Sequence, residues 1–298
     1  MVNSFNMATA KLPSTTPTTN YVLRPRSLSR KLLHYSLHLP TLTKALILLA
    51  IVLVGSTIYA LDLSPESAFS DRHNPVNVYL VKYSWGWTLL IITPAVILSS
   101  SLYNGLNITN IFRHLSRLVV SHVIWFSVTS LIVLLDSSVG SCAVNEVTGR
   151  HECLKKGHLW LGFDISGHVF LLTYCIYVIS EECANIKLEI WYEFPEFLSH
   201  ENAVTNKLSQ NTKDTLLLIH QISSWIIEPL ELLCLALVLV WAVMVVSTSL
   251  YFHTFAEKVL GYLCALLSWH CTYNWLYGRS KYLPCRPDDG YLHPLRAL

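Results

Sequence analysis

Two histidines stand where this chain could do phosphorus chemistry. His168 closes the run Trp160-Leu-Gly-Phe-Asp164-Ile-Ser166-Gly167-His168, and an apolar stretch follows it. His253 ends another apolar stretch, in Tyr251-Phe-His253-Thr-Phe-Ala-Glu257-Lys258. A phosphoester or phosphoanhydride can be cleaved when one imidazole attacks phosphorus and a second protonates the leaving oxygen. The attacking ring needs a free nitrogen aimed at phosphorus and an acid behind its other nitrogen. Glu257 lies four residues after His253, one turn away if a helix begins there. Ser166 and Gly167 put a hydroxyl and open backbone amides ahead of His168, a setting suited to phosphate oxygens. Asp164 reads as a cap for the helix that follows. No acidic cluster with metal-ligand spacing accompanies the pair, so the chemistry calls for no metal and no cofactor. Against this, the chain holds 13 histidines, and a lone histidine at a helix end is most simply an amphipathic interfacial residue.

The elements that must position the pair are membrane spans. The 298 residues are 52% hydrophobic and only 13% charged, about half the charged share of a typical soluble domain. A net charge of +2 leaves no basic patch for nucleic acid. Six segments approach the ~20 residues that cross ~30 Å of hydrocarbon: about 45–63, 84–103, 118–135, 165–180, 229–250 and 255–277. Pro94, inside the second, predicts a kink that neighbouring helices cover. The expected architecture is therefore an all-α, polytopic membrane protein with six transmembrane helices. Residues 1–40 read as a disordered cytosolic tail rich in Ser, Thr and Pro, 41–280 as the membrane domain, and 281–298 as a cytosolic C-terminal tail.

Orientation follows from Lys and Arg, which concentrate on the cytosolic side. With both termini cytosolic, most of the 21 basic residues are cytosolic, and only Arg72, Lys82, Arg150, Lys155, Lys156 and Lys258 face the other way. His168 and His253 then share the lumenal end. Cys142 and Cys153 lie in the lumenal loop 136–160, where an oxidising compartment favours a bridge; two unpaired thiols are the alternative. Cys175, Cys183, Cys234, Cys264 and Cys271 read as buried apolar side chains. The sequon Asn107-Ile-Thr109 falls in a cytosolic loop and cannot be used there. Residues 197–228 alternate polar and apolar positions, as an interfacial helix on the cytosolic leaflet or a segment packed beneath the bundle would.

A resemblance lifts the histidine pair above the bland reading. The run Trp160-Leu-Gly-Phe-Asp-Ile-Ser-Gly-His168-Val-Phe-Leu-Leu-Thr-Tyr174, closed by Glu181-Glu182, resembles the signature of the fat storage-inducing transmembrane (FIT) proteins. Tyr251-Phe-His253-Thr and Glu257-Lys258-Val-Leu-Gly261 resemble that family's second motif. The family is in turn similar to the lipid phosphate phosphatases: Ser166-Gly167-His168 matches their second motif, and His253 with Glu257 matches their third. By that resemblance His253 is the nucleophile and His168 the acid for the leaving group. The first phosphatase motif, Lys-x6-Arg-Pro, is missing, and Ser247 stands where the third carries Arg. The phosphate clamp is therefore unassigned, with Lys155, Lys156 and Lys258 as lumenal candidates.

What the FIT resemblance implies is an endoplasmic reticulum enzyme that cuts the pyrophosphate of fatty acyl-CoA. The products are acyl 4′-phosphopantetheine and adenosine 3′,5′-bisphosphate, and the activity supports lipid droplet formation. Two other readings stand beside it. One is a lipid phosphate phosphatase; the other is a non-enzymatic membrane protein that binds di- or triacylglycerol and partitions it into droplets.

Overall fold

The computed structural model describes residues 39–144, 149–183, 188–200, 204–279, 284–290 and 292. The predicted N-terminal tail lies almost wholly outside these residues, as does much of the predicted C-terminal tail. The described chain is helical apart from one short hairpin. In order it forms α1 (Thr41–Ala60), α2 (Ser84–Tyr103), α3 (Ile108–Val139), β1 (Ser141–Cys142), α4 (Arg150–Lys155) and β2 (Trp160–Leu161). It continues with α5 (Gly167–Glu182), α6 (Leu188–Ser199), α7 (Gln210–Tyr251), α8 (Phe255–Trp269) and α9 (Tyr277–Arg279). A π-helical stretch, His270–Leu276, joins α8 to α9. Four of these helices, α1, α2, α3 and α7, are long and apolar enough to cross a membrane.

The apolar segments read from sequence recur as helices, with changed limits. Segment 84–103 coincides with α2, and Pro94 sits within it. The third segment grows to 32 residues because Asn107 caps it, its side chain accepting the Asn110 amide at 3.3 Å. The largest correction concerns the segment 197–228 and the span 229–250. From Gln210 onward they form one helix of 42 residues, about 63 Å long at 1.5 Å per residue. The reason is a continuous buried stripe at helical spacing: Leu216, His220, Ser223, Ile227, Leu230 and Cys234 are all buried, straight through Pro229. The lower part packs against α6, where His220 Nε2 meets the Trp191 carbonyl at 2.9 Å and Trp191 Nε1 donates to Ser224 at 3.2 Å. Trp225, on the far face of the same turns, is 85% exposed.

α5 is the axis of the bundle. With 16 residues it is the shortest of the six main helices after α8, and every position from Val169 to Ser180 is buried. It packs against α1, α2, α3, α7 and α8. Its C-terminal end is fixed by polar contacts to four neighbours. Arg117 of α3 makes a two-pronged ion pair with Glu182 at 2.6 and 2.9 Å, and the Tyr273 hydroxyl donates to the same carboxylate at 2.7 Å. Thr41 and Trp269 donate to Glu181, and Lys44 donates to Ser180. Part of the predicted C-terminal tail docks here too: Leu292 is buried, its amide donates to the Tyr103 carbonyl at 2.9 Å, and Arg117 donates to the Cys285 carbonyl.

At the other end, Cys142 and Cys153 form a disulfide beneath the β1–β2 hairpin. Of the five cysteines expected to be buried, Cys175, Cys183 and Cys234 are, Cys264 is half-buried, and Cys271 is exposed on the outer side of the π-helical stretch.

Candidate active site

The site is built where chain ends meet at the N-terminus of α5. Ser166 is the N-cap of α5: its hydroxyl accepts the Val169 amide at 3.3 Å, and the side chain is fully buried. That corrects two sequence readings. Ser166, not Asp164, caps the helix, and its hydroxyl is spent on the cap, so it is not held out for a phosphate. Gly167 is half-buried beside open space, and His168, one residue into the helix, is exposed to the cavity. A helix start in this position turns the first side chain outward while Val169 and Phe170 go into the core.

His253 sits in the three-residue link between α7 and α8, with φ of 60°, a left-handed conformation that costs a non-glycine residue about 1–3 kcal/mol. The surrounding contacts enforce it. Thr254 and Glu257 form a capping box for α8, with the Thr254 amide donating to Glu257 Oε2 at 2.7 Å. The same oxygen lies 3.7 Å from His253 Nδ1, and Asp164 Oδ2 lies 4.0 Å from that nitrogen. Two carboxylates therefore stand behind one ring nitrogen, which leaves Nε2 as the nitrogen for other work. The His253 side chain is 18% exposed.

Glu257 also joins the two motifs. Its Oε1 accepts the Asp164 amide at 3.2 Å, and its backbone carbonyl accepts the Ser166 amide at 3.1 Å. One residue of α8 thus holds the segment that leads into His168 while it backs His253. One turn further on, Gly261 lies against the same place: a Cβ there would sit 2.5 Å from the Ser166 carbonyl oxygen. The approach of α8 to the head of α5 requires glycine.

The Asp164 side chain is about half exposed, 48%, yet partial burial raises its carboxyl above the ordinary value. The charge of His253 opposes that rise, Asp136 reinforces it, Arg150 opposes it and Glu257 reinforces it. Asp136 is itself fully buried and paired with Arg150 at 2.9 Å. The early part of the first motif serves this pair: Gly162 has no room for a Cβ between Asp136 Oδ1 and the Trp160 indole. Trp160 and Leu161 form the second strand of the hairpin, and Gly162 lets the chain leave it against the buried Asp136.

His168, His253 and Asp164 line one cavity of about 610 Å³. Val81 and Phe252 give it an apolar wall. Two cations that sequence reasoning passed over, Arg72 and Lys82, line it as well. Both belong to the α1–α2 connection, far from either histidine motif, and their signal in the sequence was their place among the few basic residues that the charge count assigns to the lumenal side. The three lysines favoured from sequence lie elsewhere. Lys155 and Lys156 are exposed on and just after α4. Lys258 is fully buried, donates to the Ser249 carbonyl at 2.7 Å and stands 4.3 Å from the Tyr59 ring centre.

Comparison with known proteins places this geometry in a lineage. The family model described as fat storage-inducing transmembrane protein matches residues 65–139 and 132–273. A Xenopus laevis protein named acyl-coenzyme A diphosphatase FITM2 is 34% identical over 238 residues, covering 78% of this chain and 81% of its own length. The Homo sapiens protein of that name is 32% identical over 241 residues, covering 78% and 82%. The Drosophila melanogaster one is 35% identical over 236 residues, covering 76% of this chain but 56% of its own length, so the chain spans little more than half of the fly relative. No solved structure matches.

Proposed function

The chain belongs to the fat storage-inducing transmembrane protein family, and from that premise we propose that it is a membrane-embedded acyl-coenzyme A diphosphatase. Its relatives carry that name at 32–35% identity over most of this chain. The observation that carries the reading is the shared cavity of His168 and His253, with Glu257 bonded to both motifs.

His253 Nε2 attacks one phosphorus of the pyrophosphate bridge, and a P–N bond forms as the bridging P–O bond breaks. The electron pair goes to the departing phosphate oxygen, and His168 supplies the proton to it. Glu257, with Asp164, stabilises the positive charge that His253 then carries. His168, now neutral, takes a proton from water; the water oxygen attacks phosphorus and the P–N bond breaks. One water is consumed, and the products are acyl 4′-phosphopantetheine and adenosine 3′,5′-bisphosphate.

We place six spans around this site, with α5 and the α8–α9 run joining the four longer helices. The chain order supports it. α1, α3 and α7 end near the cavity, while α2, α5 and α8 start there, as Ser64 bonding to Leu250 and Glu257 bonding to Asp164 illustrate. Both termini are then cytosolic and the site lumenal in the endoplasmic reticulum membrane. A disulfide next to the site favours an oxidising compartment. A lumenal diphosphatase in this membrane would act on fatty acyl-CoA and support lipid droplet formation.

The test is product analysis with the full chain in detergent. Fatty acyl-CoA should yield acyl 4′-phosphopantetheine and adenosine 3′,5′-bisphosphate by mass spectrometry, and phosphatidate should yield little diacylglycerol. Phosphate release from phosphatidate alone would make the protein a lipid phosphatase. Turnover of neither, with saturable binding of di- or triacylglycerol, would make it a lipid-binding protein.

A further inference from the structure

The missing first phosphatase motif leaves an unmet requirement, because a diphosphate diester brings two negative charges to the histidines. We propose that Arg72 and Lys82 form the phosphate clamp, a binding site for the two charged phosphoryl groups of an organic pyrophosphate. The proposal rests on the diphosphatase reading and adds the residues that grip its substrate.

Three observations carry it. First, both side chains line the cavity that holds His168 and His253. Second, neither has a carboxylate partner among the described residues, although Asp164 lines the same cavity. Cations left unpaired in the cavity that holds both histidines are placed for an anion from outside. Third, the connection that presents them is built and not loose. Ser64 Oγ donates to the Leu250 carbonyl at 2.6 Å, which ties the connection to the end of α7, three residues before His253. Asn77 Nδ2 donates to the carbonyls of Asp71 and Phe69 at 2.9 and 3.2 Å and closes the loop around Arg72. Lys82 caps the helical turn Val76–Val81 that follows.

The division of labour follows from side-chain chemistry. A guanidinium forks onto two oxygens of one phosphoryl group, while an ammonium acts as a point charge on the other. Charge that develops on the leaving phosphate is then met by a fixed cation as the bridging bond opens. The two cations thus reach the cavity from the α1–α2 connection, while the histidines reach it from two later segments.

The experiment pairs turnover with binding of inorganic pyrophosphate to the full chain in detergent, measured by displacement of a fluorescent nucleotide. Arg72→Gln and Lys82→Gln should each weaken pyrophosphate binding about tenfold and raise KM for acyl-CoA similarly, with kcat falling up to about 10²-fold. Thermal stability should not change, since both side chains are exposed. Arg72→Lys and Lys82→Arg should restore binding in part, and high salt should mimic the loss. Unchanged pyrophosphate binding in the Arg72→Gln, Lys82→Gln double variant overturns the clamp, whatever the turnover. If the wild type binds pyrophosphate through these cations but leaves acyl-CoA intact, the clamp stands and the diphosphatase reading falls.

Discussion

Glu257→Gln is the sharpest perturbation of the site, because it keeps shape and removes one charge. Glu257 is 8% exposed and lies 3.7 Å from His253 Nδ1. Two unit charges at about 4 Å attract by about 1 kcal/mol in water and about 4 kcal/mol at an effective dielectric of 20. The site lies between those limits, so the His253 imidazolium formed during attack loses about 1–4 kcal/mol, or about 5- to 10³-fold in rate. Asp164, 4.0 Å from the same nitrogen, keeps the loss below that of removing His253 itself. There is a structural cost as well. Glu257 Oε1 and Oε2 each accept a backbone amide, and a glutamine NH₂ must face one of them donor to donor. One such loss costs about 1–3 kcal/mol of stability. Single-turnover hydrolysis of acyl-CoA beside a thermal melt separates the two effects. Asp164→Asn is the comparator. Burial raises the Asp164 carboxyl, so whatever stability its protonated form adds is lost as pH rises through that raised value. The asparagine variant should therefore melt no lower than wild type at neutral pH, with a smaller rate loss than Glu257→Gln. A Glu257→Gln enzyme with wild-type kcat and a lowered melting temperature would show that Glu257 only ties the two segments together.

The other expectations are independent of that one. His168→Ala and His253→Ala should each abolish turnover, at least 10²–10⁴-fold, with an unchanged melting temperature; a folded variant with near-wild-type hydrolysis removes that residue from the mechanism. Gly261→Val should cut both stability and activity, since its side chain must displace the Ser166 carbonyl; a fully active valine variant means that α8 does not lie against the head of α5. Glu182→Gln should destabilise the fold by about 3–5 kcal/mol by stranding the buried Arg117, and a melt within error of wild type argues against that pair. In microsomes Asn107 should stay unmodified, whereas a sequon placed in loop 140–155 should be glycosylated; the opposite pattern puts both histidines in the cytosol.

The sequence was most readable where one periodicity dominates. Unbroken apolar runs marked six helices, and α2 has the predicted limits because Tyr83 and Asn104 flank it with polar turns. It was misleading at α7, where residues 197–228 read as an element apart from the span 229–250, either an interfacial helix or a segment packed beneath the bundle, and only the packed alternative fits the buried stripe. Their buried stripe lies in register with the span above, a feature visible only when the spacing is followed through Pro229. The candidate site was legible in part. His168, His253 and Glu257 come from two local motifs, so their spacing could be read; the cavity brings the two histidines together. Ser166 was misread because a serine immediately before an apolar helix fits a cap and a ligand equally, and only burial decides. Arg72 and Lys82 were not legible as site residues, since no local pattern ties a loop between α1 and α2 to a cavity it shares with two later segments.

The position of His168 depends on more than its own turn. α5 spans about 24 Å at 1.5 Å per residue, short of the ~30 Å of a hydrocarbon core. In the six-span arrangement proposed above, a helix that short cannot take its depth from hydrophobic matching, and neighbours must supply it. They do so at both ends. Glu181 and Glu182 are held by Thr41, Trp269, Arg117 and Tyr273 below. Above, the Ser166 amide and the Asp164 amide are held by Glu257, with Gly261 in close approach. A buried ion pair such as Arg117–Glu182 contributes little net stability over an apolar pair. Its value here is positional, because a two-pronged guanidinium–carboxylate contact fixes distance and angle together. The same helix thus carries His168, the proposed acid, at one end and its own depth gauge at the other, which is a physical reason for the motif to run on to Glu181-Glu182.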